Sequence, residues 1–277
     1  MVIPDYRFQV GEVRRLSEKM NVFEIGRSLC GRSIFALELQ GGSERTLIAA
    51  GFHGSEYLTV LAALKFAGEL TPGEGTGCVA IVPCVNPDGT EIALNGFDSA
   101  GVFSGSAQKL CPNHRRWQAN ARGVDINHNF AACWQQVKAR EIAAGITGPA
   151  CTRYGGEDAE SEPETRALCS LCRRSSFDRV LALHSQGREL YWDFNSCKPP
   201  EGLVIAEKMA EVSGYRVAQP EPMAVGGGFK DWFLQKYRRP GFTVEMGLGK
   251  NPLPLSDFES EYPAIRGILD IFVRGRK

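Results

Sequence analysis

The sequence predicts an α/β protein whose sheet is covered on both faces, and three observations carry that prediction. Short apolar runs rich in β-branched residues recur at 46–51 (TLIAAG), 78–85 (CVAIVPCV), 179–184 (RVLALH) and 242–247 (FTVEMG), with the length and composition of buried strands. Helical patterns lie between them, as alternation in an α/β fold requires. Polar residues stand at the end of every run, where ligand sites of open α/β sheets gather.

Along the chain, NVFEIGRSLCGRSIFALELQ (21–40) reads as two strands around a Gly-containing turn, with apolar alternation in IFALEL. EYLTVLAALKFAGEL (56–70) carries apolar residues at helical spacing. SEPETRALCSLCRR (161–174) is expected to open a helix as a capping box, Ser161 standing three residues before Glu164 with proline in the first turn. EGLVIAEKMAEVS (201–213) reads as another helix. Two polar stretches, 95–123 and 134–160, are expected as surface excursions of the length that often carries function. No repeat, low-complexity block or Pro/Ser-rich linker divides the 277 residues, so one domain is expected over 1–277.

Lysine plus arginine and aspartate plus glutamate number 32 each, so no global field draws the chain to nucleic acid or membranes. Residues 1–20 are charged throughout and lack the apolar core of a secretory signal; no window has the length of a transmembrane helix. Nine scattered cysteines, several in apolar runs, suit a reducing cytosol better than a disulfide framework. The lone CxxC of Cys169 and Cys172 lies in a helical pattern and reads as packing. A cytoplasmic protein with no nucleic-acid and no membrane partner is the expectation.

His53 and Glu56 follow the first buried run, Asn86 and Asp88 the second; His184 closes the third and Glu245 the fourth. Two imidazoles and a carboxylate are a common ligand set for a catalytic zinc with one position open to water. A further carboxylate can then act as general base. His53, Glu56 and His184 are the ligand candidates and Glu245 the candidate base. HxxE alone is a weak signal, because any two polar residues can fall three apart.

Further matches decide the reading. IGRSLCGRSI (25–34), GFHGSE (51–56), VNPDG (85–89), GVDINHNF (123–130), SEPET (161–165), LHSQG (183–187) and TVEMG (243–247) resemble, in order and spacing, the motifs of the zinc metallocarboxypeptidases. The resemblance spans about residues 20–270. It implies a mixed, twisted β-sheet flanked by helices, of the phosphorylase/hydrolase-like type. It further implies one Zn2+ per chain held by His53, Glu56 and His184, with Glu245 as general base and then acid. HSQGRELYW (184–192), GGFKDWFLQKYRRPGFTVEMGLGKNPLP (227–254) and WQANARGVDIN (117–127) resemble the bacterial branch that cuts γ-D-glutamyl–meso-diaminopimelate bonds of peptidoglycan stem peptides. A diaminopimelate-containing muropeptide is therefore the expected small-peptide substrate. Soluble fragments fit better than intact wall, in recycling or in a spore-forming mother cell.

The chain departs from the family pattern at three positions. The family's Asn-Arg pair, which grips a C-terminal carboxylate, is Asn127-His128 here, and a histidine lacks the bidentate fork. Its tyrosine over the S1′ pocket aligns on Met223, and its carbonyl-polarising arginine on Gln118. Arg115, Arg116 and Arg122 are candidates to supply that cation, with Arg122 preferred as the catalytic arginine. Lys230 falls where relatives set S1′ preference, and would suit the distal carboxylate of diaminopimelate. Asp125 reads as a carboxylate orienting a ligand histidine, and His114 as a surface residue; Trp192 and Trp232 either line the cleft or pack. Two other functions fit the same residues: a conventional carboxypeptidase or N-acyl amino acid deacylase of this superfamily, and a zinc-free module that binds wall fragments.

Overall fold

Strand alternation divides the core into two apolar layers, one on each face of an eight-stranded sheet. The computed structural model describes residues 2–71 and 77–274. Helix α1 (Tyr6–Leu16) opens on Asp5, whose carboxylate accepts the amide of Phe8. The antiparallel hairpin β1 (Asn21–Arg27) and β2 (Ser33–Leu39) follows. Next come β3 (Gly42–Ala49), α2 (Tyr57–Glu69), β4 (Gly77–Val82) and α3 (Pro87–Asn95). The long polar stretches hold α4 (Ser104–Leu110) and α5 (Trp134–Ala143). Then follow α6 (Pro163–Ser175), β5 (Arg179–His184), β6 (Glu189–Tyr191) and α7 (Pro200–Ser213). The chain continues with β7 (Arg216–Val217), α8 (Phe229–Tyr237), β8 (Gly241–Glu245) and α9 (Phe258–Arg274).

The strand order is β1-β2-β4-β3-β5-β8-β6-β7. The four central strands β4, β3, β5 and β8 run parallel, while β2 and β6 pair antiparallel at their flanks. Along β5, Leu181 and Leu183 enter one layer with α2, α7 and α9; Val180 and Ala182 enter the other with α6 and α8. Both faces of each central strand are therefore dry, which is why these segments read as continuous apolar runs. Cutting the fully buried Leu181 to alanine would cost about 2–5 kcal/mol. Cys169 and Cys172 pack in the second layer at 0% and 1% exposure, as does Trp232 at 2%. Trp192 packs, partly buried, against the first.

Two local expectations change. Ser161 does not cap α6: Glu162 is the N-cap residue, and the Ser161 hydroxyl instead donates to Glu162 and accepts from Asn129 Nδ2. The stretch 95–123 is more than a surface excursion, because Trp117, Ala119 and Asn120 within it are fully buried. Trp117 and Ala119 form part of a third apolar cluster with residues of α3 and α4. No helix among the described residues is long and apolar enough to cross a membrane.

Candidate metal centre

The sheet changes direction of winding between β3 and β5, and the carboxyl ends of these adjacent strands deliver the site. Such a switch point opens a crevice that no connection covers. Gly51, with φ +63°, turns the chain out of β3, and His53 and Glu56 follow on a single 3₁₀ turn (Gly54–Glu56). Gly54 has no room for a side chain, since a Cβ there would lie 2.1 Å from the Gly89 carbonyl oxygen. His184 ends β5 and pairs in register with Glu245 at the end of β8.

Asn86 and Asp88 do not join this cluster; they build its support. Asn86 donates through Nδ2 to the carbonyls of Phe52 (3.0 Å) and Ala119 (3.1 Å) and accepts the Gly89 amide (2.9 Å). The buried Asp88 carboxylate accepts from Ser28 Oγ (2.7 Å), the Cys30 amide (2.8 Å) and Arg32 (2.7 Å), tying the hairpin turn to α3. The VNPDG and IGRSLCGRSI motifs thus lock loops behind the histidine rather than supplying chemistry.

His53, Glu56 and His184 each offer one ligand atom, and these atoms lie within 4.8 Å of one another. His53 Nδ1 is 2.8 Å from Glu56 Oε1 and His184 Nδ1 is 3.1 Å from Glu56 Oε2. His53 Nε2 lies 3.1 Å from Asp125 Oδ1, which also accepts the Asn127 amide; Oδ2 accepts the Arg153 amide. With Asp125 taking the proton on Nε2, the His53 lone pair at Nδ1 faces the lone pairs of Glu56. That conflict is relieved only by a cation, whether a proton or a metal ion. Two nitrogens and an oxygen are the donor set zinc takes, so the residues fit that metal.

The electrostatics tell the same story. Burial alone would depress the His53 pKa, but the Glu56 and Asp125 carboxylates hold it well above its ordinary value. Burial depresses His184. Glu56 is carried down to about 2, because the His53 charge and the His184 hydrogen bond outweigh its burial. Burial and then the Glu56 charge push the Glu245 carboxyl well above its usual range, with Glu189 adding to the effect. Among the described residues no side chain donates a hydrogen bond to Glu245.

The remaining sequence candidates divide. Gln118 lines the cleft beside the cluster, and the Thr152 hydroxyl donates to its Oε1, leaving Nε2 free to donate outward. Asn127 Oδ1 accepts the Phe229 amide (3.1 Å), at the start of α8. The buried His128 turns Nδ1 to Glu141 Oε1 (3.2 Å), so Nε2 is the end left for a ligand. Met223 sits half-buried in a short turn (Pro222–Ala224). Lys230 is 5% exposed, with Nζ 2.5 Å from both the Asp193 carbonyl and Asp231 Oδ1. It does not point to solvent.

Arg122 is not brought to the cluster. Its guanidinium takes the buried Glu162 carboxylate at both oxygens (2.9 and 2.6 Å) and lines a separate crevice with Tyr154, Glu157 and Asp158. Glu162 of the SEPET motif claims it. Of the three arginines considered, Arg116 lines the cleft with Gln118. His114 stays apart, half-buried with Nδ1 3.1 Å from the Ile92 carbonyl. Sequence reasoning missed Asn251, whose Nδ2 donates to Glu56 Oε1 (3.2 Å), and Glu189, which faces Glu245 across β6 and β8. Only pairing register could have found the latter.

Residues 12–263 match the zinc carboxypeptidase family (peptidase M14). The chain belongs to that family. It is 33% identical over 287 residues to γ-D-glutamyl-L-diamino acid endopeptidase 1 of Lysinibacillus sphaericus, covering 95% of this chain and 70% of the relative. Murein peptide amidase A of Escherichia coli K12 is 33% identical over 165 residues, 57% of each chain. The fold matches that of bovine thrombin-activatable fibrinolysis inhibitor in complex with tick carboxypeptidase inhibitor. The TM-score is 0.76 at 21% identity, covering 97% of this chain and 94% of the other. As a member of the zinc carboxypeptidase family, the chain is a zinc peptidase.

Proposed function

We propose that this zinc carboxypeptidase-family enzyme hydrolyses the γ-D-glutamyl–meso-diaminopimelate amide of peptidoglycan stem peptides. The observation that carries this reading is the likeness, along 95% of the chain, to a relative named as a γ-D-glutamyl-L-diamino acid endopeptidase. The convergence of His53, Glu56, His184 and Glu245 supplies the chemistry.

One zinc ion per chain, held by His53, Glu56 and His184, would supply Lewis acidity and lower the pKa of water in the cleft. Glu245 takes the proton of that water and hands it to the leaving diaminopimelate amine. Burial and the Glu56 charge raise its pKa, which makes its carboxylate a stronger base for that proton than an exposed one. Gln118 Nε2 donates to the carbonyl oxygen as charge develops there, a neutral donor in place of the family's arginine. On the leaving-group side, Asn127 and His128 Nε2 meet the α-carboxylate of diaminopimelate. Lys230 has one N–H beyond its two resident partners for the distal carboxylate. The nine cysteines carry free thiols, which suits muropeptide fragments in a reducing cytoplasm as the setting.

The test is incubation of zinc-loaded protein with L-Ala-γ-D-Glu-meso-diaminopimelate, read by mass. Release of free diaminopimelate and L-Ala-D-Glu is expected. An intact tripeptide, beside cleavage of a plain C-terminal peptide or an N-acyl amino acid, would overturn the reading.

A further inference from the structure

Beside the metal cluster, where Ser55 adjoins Glu56 and Asn251 donates to it, lies a cleft of about 730 Å³. Arg116, Gln118, Thr152, Arg153, Lys250 and Asn251 are among its lining residues. Three of these carry positive charge, and none of the described residues lining the cleft is acidic. Some exposed cations of this protein have a carboxylate neighbour, such as Arg15 with Glu12 or Arg173 with Glu160. Arg116, Arg153 and Lys250 have none. Three unpaired cations facing one concavity raise the local positive potential, and a low-dielectric wall strengthens it.

The backbone ties this charge to the reacting centre. Arg153 adopts φ +67°, the left-handed region that a long side chain seldom occupies. Its amide is fixed 2.7 Å from Asp125 Oδ2, the carboxylate that orients His53. Lys250 precedes Asn251, which donates to Glu56 and to the Ser185 carbonyl (2.6 Å). Arg116 stands two residues before Gln118, whose amide and that of Ala119 both donate to the Cys151 carbonyl. The three cations come from three separate loops, each anchored within hydrogen-bond reach of the metal cluster or its supports.

We propose that this cleft is an anion site that holds the free α-carboxylate of the γ-linked glutamyl residue on the acyl side of the scissile bond. The inference rests on the function proposed above. A γ-linked glutamate keeps its α-carboxylate close to the scissile carbonyl, whereas its carboxamide or a neutral residue at that place carries no charge there. Arg116, Arg153 and Lys250 therefore favour an acyl residue that keeps this carboxylate over its neutral counterpart, and they act on the acyl half as Lys230 acts on the amine half. Arginine forks suit a carboxylate better than any neutral group of the same shape.

The experiment compares two substrates that differ in one group: L-Ala-γ-D-Glu-meso-diaminopimelate and the analogue whose glutamyl α-carboxylate is a carboxamide. Wild-type zinc-loaded protein is expected to favour the carboxylate by about tenfold or more in kcat/KM, the range of a charge-assisted hydrogen bond. The Arg116→Gln/Arg153→Gln variant is expected to bring the two substrates within about threefold, mainly through KM on the carboxylate form. Equal use of both by wild type, or a preference that survives the double substitution, overturns the anion site. If neither substrate is cut, the proposed reaction falls, and calorimetric binding of the dipeptide L-Ala-γ-D-Glu and its carboxamide decides the site separately. Carboxylate-selective binding that the double variant loses upholds the site; equal binding overturns it.

Discussion

Replacing Asp125 with asparagine isolates what one buried carboxylate contributes to the metal cluster. Asp125 is 2% exposed and accepts three donors: His53 Nε2 at 3.1 Å, the Asn127 amide at 3.0 Å and the Arg153 amide at 2.7 Å. Asparagine keeps one acceptor oxygen and gains an NH2. With the oxygen turned to His53 and Asn127, the NH2 meets the Arg153 N–H, donor against donor. With it turned to Arg153, His53 loses the acceptor that fixes its tautomer. Either way one charge-assisted bond of about 1.5–3 kcal/mol is lost, and His53 presents its Nδ1 lone pair less often. Zinc affinity is expected to fall about 10–100-fold, or about 1.4–2.7 kcal/mol. Competition against a chromophoric chelator measures this directly, with circular dichroism to check that the fold survives. A folded Asp125→Asn protein that binds zinc within about twofold of wild type would refute the orienting role.

Glu245→Gln should lower kcat by about 10²–10⁴-fold while metal analysis still finds zinc; loss of the metal would mean that Glu245 holds the cluster together instead. Lys230→Ala should reduce activity on diaminopimelate-type stem peptides by about tenfold or more and on lysine-type ones far less, and equal losses would remove its pocket role. Burial pushes the Glu164 carboxyl from an ordinary 4.5 up to about 8. Between those values the folded state holds a proton that the unfolded chain has released, so stability falls as pH rises through the window. The slope is at most about 1.4 kcal/mol per pH unit and flattens above the folded value. Glu164→Gln should remove that slope in denaturant midpoints, and parallel profiles for the two proteins would sink the assignment.

The central strands and the metal candidates were legible in the sequence because both depend on local pattern. A strand buried on both faces is a continuous apolar run, and the polar residue that ends it is forced to the sheet edge where sites form. His53, Glu56, His184 and Glu245 could therefore be named from three run ends. β6 and β7, of three and two residues, are too short to carry a period. Arg122 illustrates a second limit: by sequence it is the preferred replacement for the arginine that aligns on Gln118, but Glu162 lies where both carboxylate oxygens reach its guanidinium. The basic cleft shows a third, since Arg116, Arg153 and Lys250 lie far apart in the chain and only loop packing makes them neighbours. What the sequence determined by itself was the strands and the chemical groups at their ends, because backbone periodicity ties side-chain direction to position. Which cations face the reacting centre and which are consumed by buried carboxylates was decided by tertiary structure alone. Charge pairing depends on distance in space, and no local pattern encodes it.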